Sequence, residues 1–71
     1  METGIVDIDG RTINVGDVCI PVRGFYSQKR FKGYTATLVW IPPMLTWKWS
    51  DGYVNPVPVQ NPGNFRVVDP K

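Results

Sequence analysis

The sequence predicts an all-β fold, namely a small five-stranded antiparallel barrel preceded by a short N-terminal β-ribbon. Three observations favour it. Apolar and polar residues alternate with a period of two over several short segments. The dipeptides Asp9-Gly10 and Asp51-Gly52 are typical of tight hairpin turns. Seven prolines and seven glycines in 71 residues disfavour long helices, and this length allows at most one domain, residues 1–71.

The predicted ribbon occupies residues 1–14. Residues 5–8 lead into Asp9-Gly10, and residues 11–13 return from that turn. We expect this ribbon to be an addition ahead of the main domain.

The first barrel strand is predicted over residues 18–23, after a turn at residues 14–17. Its alternation places Val18, Ile20 and Val22 towards the core, and Cys19, Pro21 and Arg23 outward. Because proline cannot donate a backbone hydrogen bond, we expect the strand to lie at a sheet edge or to carry a bulge at Pro21.

The centre of the fold is predicted from residues 34–53. A strand runs from Tyr34 to Ile41, and a second strand after Pro42-Pro43 places Trp47 and Trp49 on one face. Asp51-Gly52 predicts a two-residue type I′ turn, in which Trp49 pairs with Val54.

The remaining strands are an edge strand over residues 54–59 and a final short strand over residues 65–68. The expected core residues are Val18, Ile20, Ala36, Leu38, Trp49, Val54, Phe65 and Val67.

The order of the segments VGDVCIPV, FKGYTATLVWI, WKWSDGYV and NPGNFRVVD resembles the SH3-like barrels of the Tudor and KOW type. The resemblance covers residues 15–69 and leaves the ribbon outside. It implies an SH3-like barrel in which the first long loop is a ligand-binding element.

Charge is distributed unevenly along the chain. Residues 1–17 carry a net charge of −3, residues 18–50 carry +5 without an acid, and the remainder is neutral. A long segment of one sign is typical of a module that binds an acidic partner.

The loop over residues 24–33 interleaves three aromatic residues with three cations. Cations neutralise phosphates and aromatic rings stack on unpaired bases, so this mixture suits nucleic acid. The alternative is a solvated loop in which Phe25 or Phe31 folds back to cap the barrel. The candidate binding residues are Arg23, Phe25, Tyr26, Lys29, Arg30, Phe31, Lys32, Trp47 and Lys48.

Two other roles for the aromatic residues stay open at this point. The tryptophans could form a binding platform, although a domain this small needs some of them as core. A Tudor-like cage for a methylated cation could draw on Tyr26, Tyr34, Trp47, Tyr53 and Asp51 if they converge.

The sequence disfavours an enzyme. It has no nucleophile with an adjacent base and no phosphate-cradling loop, and without histidine and with the single Cys19 it offers no usual metal site, so we expect no metal and no cofactor. Cys19 could be a redox thiol, but a packed side chain is the commoner role of a strand cysteine.

Two functions are therefore compatible with the sequence. The first is a nucleic-acid-binding barrel, DNA or RNA, such as a small phage or bacterial transcription or translation regulator; a short chain starting at Met1 suits this expectation. The second is an adaptor that binds an acidic protein surface through loop 24–33 and the Trp hairpin. We expect a cytoplasmic protein without membrane association, either a monomer or an edge-paired dimer.

Overall fold

A computed structural model describes residues 3–24, 27–57 and 63–70. The fold is all-β, with five antiparallel strands in one sheet. They are β1 (Val18–Pro21), β2 (Ala36–Ile41), β3 (Met44–Trp49), β4 (Val54–Pro56) and β5 (Phe65–Asp69). Their order is β4-β3-β2-β1-β5, so the predicted five-stranded antiparallel fold is confirmed. Within the described ranges β4 and β5 do not pair, so the sheet does not close into the predicted barrel.

Helical structure in the described residues is of the 3₁₀ type and occurs at Ser27 and in the turn at Lys29–Phe31. In this part of the chain no helix has the length and apolarity needed to cross a membrane.

The hairpin of β2 and β3 forms the centre of the sheet. Six residue pairs join the two strands, from Ala36 opposite Trp49 to Ile41 opposite Met44. Ala36, Leu38 and Trp49 are buried, as predicted. Trp47, a candidate binding residue, is buried as well.

Trp40 departs from this pattern, because its side chain is 44% exposed although it follows Leu38 on the same face. The cause is the length of the neighbouring strands. β1 pairs with β2 only as far as Thr37, and β4 pairs with β3 only between Thr46 and Lys48. The tip of the hairpin therefore extends beyond the sheet that would cover it.

The turn between β3 and β4 is one residue longer than predicted. Gly52 has φ +93° but Asp51 has a negative φ, whereas a type I′ turn requires positive φ at both residues. The Gly52 N–H donates to the carbonyl of Trp49 at 2.9 Å, and the Trp49 N–H donates to Tyr53 at 2.8 Å. This is the pattern of a three-residue loop over residues 50–52 that ends on a left-handed glycine.

The longer loop shifts the predicted register. Lys48 pairs with Val54, in place of the predicted Trp49. A one-residue shift turns every side chain to the other face, so Val54 is 46% exposed and its prediction as a core residue was wrong. β4 is an edge strand, as predicted, and residues 58–62 of the predicted strand and turn lie outside the described residues.

The facing of β1 is the reverse of the prediction. Cys19 is fully buried, whereas Val18 and Ile20 are only half-buried. The register against β5 shifts between Val18 and Cys19, and such a bulge changes which residues point inward.

Pro21 does not lie on an edge strand, because β1 sits between β2 and β5. The pairing of β1 with β2 involves only Val18 and Cys19, however, so β1 and β2 separate before Pro21. This separation opens a groove between the end of β1 and the residues before β2.

The N-terminal ribbon belongs to the core, contrary to the expectation that it is an addition. Val6 bridges Thr12, and Ile5 and Ile13 are 6% and 0% exposed. The ribbon also covers the outer side of β5, where the Ile8 N–H donates to the carbonyl of Phe65 at 2.8 Å.

Asp7 joins the ribbon to β5. Its buried carboxylate accepts from the backbone N–H groups of Asp9 at 2.9 Å, Arg11 at 2.8 Å and Val67 at 3.2 Å. Burial alone raises the pKa of Asp7, but these three hydrogen bonds and the charge of Arg11 outweigh it and hold the pKa below its usual value. The carboxylate is therefore a structural anion.

Candidate functional site

The segment between β1 and β2 is organised by the 3₁₀ turn at Lys29–Phe31. The Phe31 N–H donates to Gln28 at 2.9 Å, and the Lys32 N–H donates to Lys29 at 3.0 Å. Lys29, Arg30 and Lys32 are all exposed on this turn. Three cations are thus presented by four consecutive residues of an ordered turn.

A groove of about 460 Å³ opens beside this turn, where β1 and β2 separate. One part of its wall is the end of β1, and the rest comes from the turn and the approach to β2. Among the described residues that line it, none is acidic. The lining residues are Ile20, Pro21, Ser27, Gln28, Lys29, Phe31, Lys32, Gly33, Tyr34 and Thr35.

Two aromatic rings stand in the groove wall. Phe31 and Tyr34 meet edge to face with ring centroids 5.8 Å apart, and the Arg30 guanidinium lies 5.0 Å from the centroid of Phe31. Both rings are half-buried, and Tyr34 packs against the hydrophobic core. Phe31 is half-buried and lines the groove, and the cap over the barrel that it could form stays a prediction.

The base of this aromatic wall is tied to the sheet. The Thr35 N–H donates to the Ser50 hydroxyl at 3.2 Å, and the Ser50 N–H donates to the Thr35 carbonyl at 2.8 Å. The Tyr34 N–H donates to Phe31 at 3.0 Å. These bonds fix the main chain from Phe31 to Thr35, which carries both rings.

Four aromatic residues and one acid do converge, but they differ from the proposed cage. A cavity of about 40 Å³ is lined by Phe31, Tyr34, Trp49, Asp51 and Tyr53. Tyr34, Tyr53 and Asp51 were predicted members, whereas Trp47 is absent from the lining and Tyr26 lies outside the described residues. Such a volume holds water-sized groups, which is too little for a methylated ammonium in this conformation.

Trp47 is part of the core. Its side chain is 2% exposed and stacks on Phe65 with ring centroids 4.3 Å apart. This burial removes Trp47 from the candidate binding surface.

The other candidates are placed separately. Arg23 is exposed and donates to the Asn64 side chain and to the Gly63 carbonyl, each at 3.4 Å, so it connects the start of the loop to the residues before β5. Lys48 is exposed on β3 and does not line the groove. Phe25 and Tyr26 lie outside the described residues. The structure brings together Lys29, Phe31 and Lys32, with Arg30 at their side.

Pro21 and Gln28 line the groove but were not among the candidate binding residues, and Tyr34 was named only for the aromatic cage. Tyr34 could have been found as the next aromatic residue after Phe31 beyond a glycine. Pro21 could not, because its place in the wall depends on where β1 leaves β2.

Cys19 has no surface from which to react. Burial, together with the charges of Asp17 and Asp7, raises the pKa of its thiol to about 12. Among the described residues no three acidic, cysteine or histidine side chains form a group that could hold a metal ion.

Comparison with protein-family models, with curated proteins and with solved structures finds no match to this chain. A proposal about function must therefore start from the geometry of the groove.

Proposed function

We propose that this protein is a non-enzymatic nucleic-acid-binding module whose contact surface is the groove and the cationic turn beside it. The observation that carries the proposal is the composition of the groove. Lys29 and Lys32 line it together with the rings of Phe31 and Tyr34, and the part of the chain that the structure describes adds no acid to this lining. Ammonium groups neutralise phosphates and ring faces stack on bases, so one groove offers both contacts that a nucleotide needs.

The placement of the acids supports the proposal. Asp7 pairs with Arg11 at 3.5 Å, and Asp9 pairs with Arg66 at 3.0 Å. Both ion pairs lie in the ribbon and β5, so these acids neutralise cations outside the groove. Lys29 and Lys32 place positive charge in the groove itself, which would attract an anionic chain.

The resemblance to Tudor and KOW barrels supports a binding role by analogy. A small cytoplasmic regulator of transcription or translation is the biological role that we propose for such a module.

A second candidate function is a protein adaptor, and a separate surface favours it. Trp40, Ile41 and Met44 are each 44–46% exposed near the tip of the β2–β3 hairpin, and Val54 of β4, opposite Lys48, is 46% exposed. An uncharged groove of about 230 Å³ lies beside them, between Pro42-Pro43 and β4. Exposed apolar patches of this kind are common at protein interfaces.

A salt-dependent titration tests the proposal. The parent should bind labelled oligonucleotides in fluorescence anisotropy, with an affinity that falls as salt rises. The triple variant Lys29→Glu, Arg30→Glu, Lys32→Glu should bind more weakly to every sequence. Its affinity should also depend less on salt, because each lost phosphate contact reduces the slope of log affinity against log salt concentration by about 0.7–0.9.

Lys48→Glu is the matched control, since it reverses an exposed charge outside the groove. It should change the affinity much less than the loop reversal does. A parent protein without salt-dependent affinity for DNA or RNA would contradict the proposal and favour the adaptor.

A further inference from the structure

We infer that the groove is a subsite for one unpaired nucleotide of a single strand, with its phosphate at Lys29 and Lys32 and its base against Phe31 and Tyr34. This inference rests on the proposed function and narrows it, because it selects single strands over duplexes.

The phosphate side of the subsite follows from the 3₁₀ turn. Lys29 begins the turn and Lys32 directly follows it, the Lys32 N–H donates to the Lys29 carbonyl at 3.0 Å, and both residues line the groove. Their backbone positions are about 6 Å apart along the turn axis, from a rise of about 2 Å per residue. Two flexible ammonium groups at this separation can reach the same phosphate.

Arg30 has a different place on the turn. It does not line the groove, and its guanidinium lies over the ring of Phe31. Arg30 therefore supports the ring and adds positive charge nearby, whereas Lys29 and Lys32 face the ligand.

The base side of the subsite is an ordered aromatic wall. Phe31 and Tyr34 are half-buried, and both also line the small cavity that they share with Trp49. Anchoring of the rings from below lowers the entropy that would be lost when a base stacks on them. Ile20 and Pro21 supply apolar surface elsewhere in the same groove.

The same arrangement disfavours a duplex. A paired base has both faces covered by its neighbours in the stack, so it cannot contact a ring, whereas an unpaired base can. A duplex would use only the lysines. Single strands should consequently gain affinity from the rings in addition to the charge.

The test uses the full chain and three labelled probes, which are a 12-nucleotide oligo(dT), a 12-nucleotide oligo(U) and a 12-base-pair DNA duplex. Phe31→Leu removes the ring but keeps an apolar side chain for the interior. We expect this variant to bind the single strands about 5- to 100-fold more weakly, with less than about a twofold change for the duplex. Its salt slope should match that of the parent, since no phosphate contact is lost.

Two other variants distinguish the contribution of ring stacking to single-strand binding from that of the lysine charges. Tyr34→Phe keeps the ring and should bind the single strands as the parent does. Lys29→Gln should lower the salt slope on single strands by about 0.7. Circular dichroism confirms that each variant is folded.

The outcomes distinguish the two proposals. Salt-dependent binding that is equally tight for the duplex and the single strands, and unchanged in Phe31→Leu, would overturn the nucleotide subsite and leave the proposed function standing. Absence of binding to all three probes would overturn both. Tighter binding of oligo(dT) or oligo(U) than of the duplex, lost in Phe31→Leu, supports the subsite.

Discussion

Replacement of Asp7 by asparagine should destabilise the protein strongly, because Asp7 joins the ribbon to β5. Asparagine keeps one oxygen for the N–H groups of Asp9 and Arg11, but it places an NH₂ donor opposite the Val67 N–H that now donates at 3.2 Å. Loss of this charge-assisted bond, with a buried donor left unpaired, costs about 2–3 kcal/mol. A 71-residue chain has a total stability of only about 4–10 kcal/mol.

Thermal unfolding followed by tryptophan fluorescence measures the effect. At about 4–8 °C per kcal/mol, Asp7→Asn should lower Tm by about 8–24 °C at pH 7. Asp9→Asn is the matched control, because the Asp9–Arg66 pair is about half exposed and such pairs contribute about 1 kcal/mol or less.

The pH dependence gives an independent check. The pKa of folded Asp7 lies below its usual value, so the carboxylate stabilises the fold above the unfolded pKa of about 3.9, and this contribution is lost as the pH falls through the folded value. The difference in stability between the parent and Asp7→Asn should therefore be largest above about pH 5 and shrink at lower pH. If Asp7→Asn unfolded like Asp9→Asn, or if the difference did not change with pH, the role assigned to Asp7 would be wrong.

Two further predictions concern the turn and the thiol. Gly52→Val should lower the free energy of unfolding, measured in urea, by about 1–3 kcal/mol. The residue has φ +93° and an added Cβ would have no heavy atom within 4 Å, so the destabilisation comes from backbone strain alone. A variant as stable as the parent would contradict the loop geometry. Cys19 should not react with a thiol reagent at pH 8 in the folded protein, because its pKa is raised to about 12, and it should react fully in guanidinium chloride. Rapid labelling of the native protein would show that the thiol is accessible.

The sequence by itself determined the class of the fold and its central hairpin. Alternation is a local property with a period of two, so the burial of Ala36, Leu38 and Trp49 was predicted from the chain alone. The sequence placed Trp47 on the same face as Trp49 but left open whether it belongs to the core or to a binding surface. Phe65 and Val67 in β5 were predicted in the same way. The cationic loop over residues 24–33 could also be identified from the sequence, because the charge of a side chain is known without knowing how it packs.

The sequence could not predict the exact pairing register of β3 with β4 or the facing of β1. Asp51-Gly52 is compatible with loops of two or three residues, and only the hydrogen bonds of Trp49 with Gly52 and Tyr53 select the longer one. In β1 both faces offer apolar residues, so a bulge at Val18 and Cys19 decides which face is buried.

The tertiary structure alone decided what the ribbon and the groove are. Asp7 accepts a hydrogen bond from Val67, which lies 60 residues later in the sequence, and no local pattern predicts such a bond. Lys29 and Phe31 meet Pro21 in one groove because β1 leaves β2 after Cys19, which depends on the pairing of strands distant in the chain. Periodicity and charge are encoded by near neighbours, whereas sites and buried polar contacts are made by residues that only folding brings together.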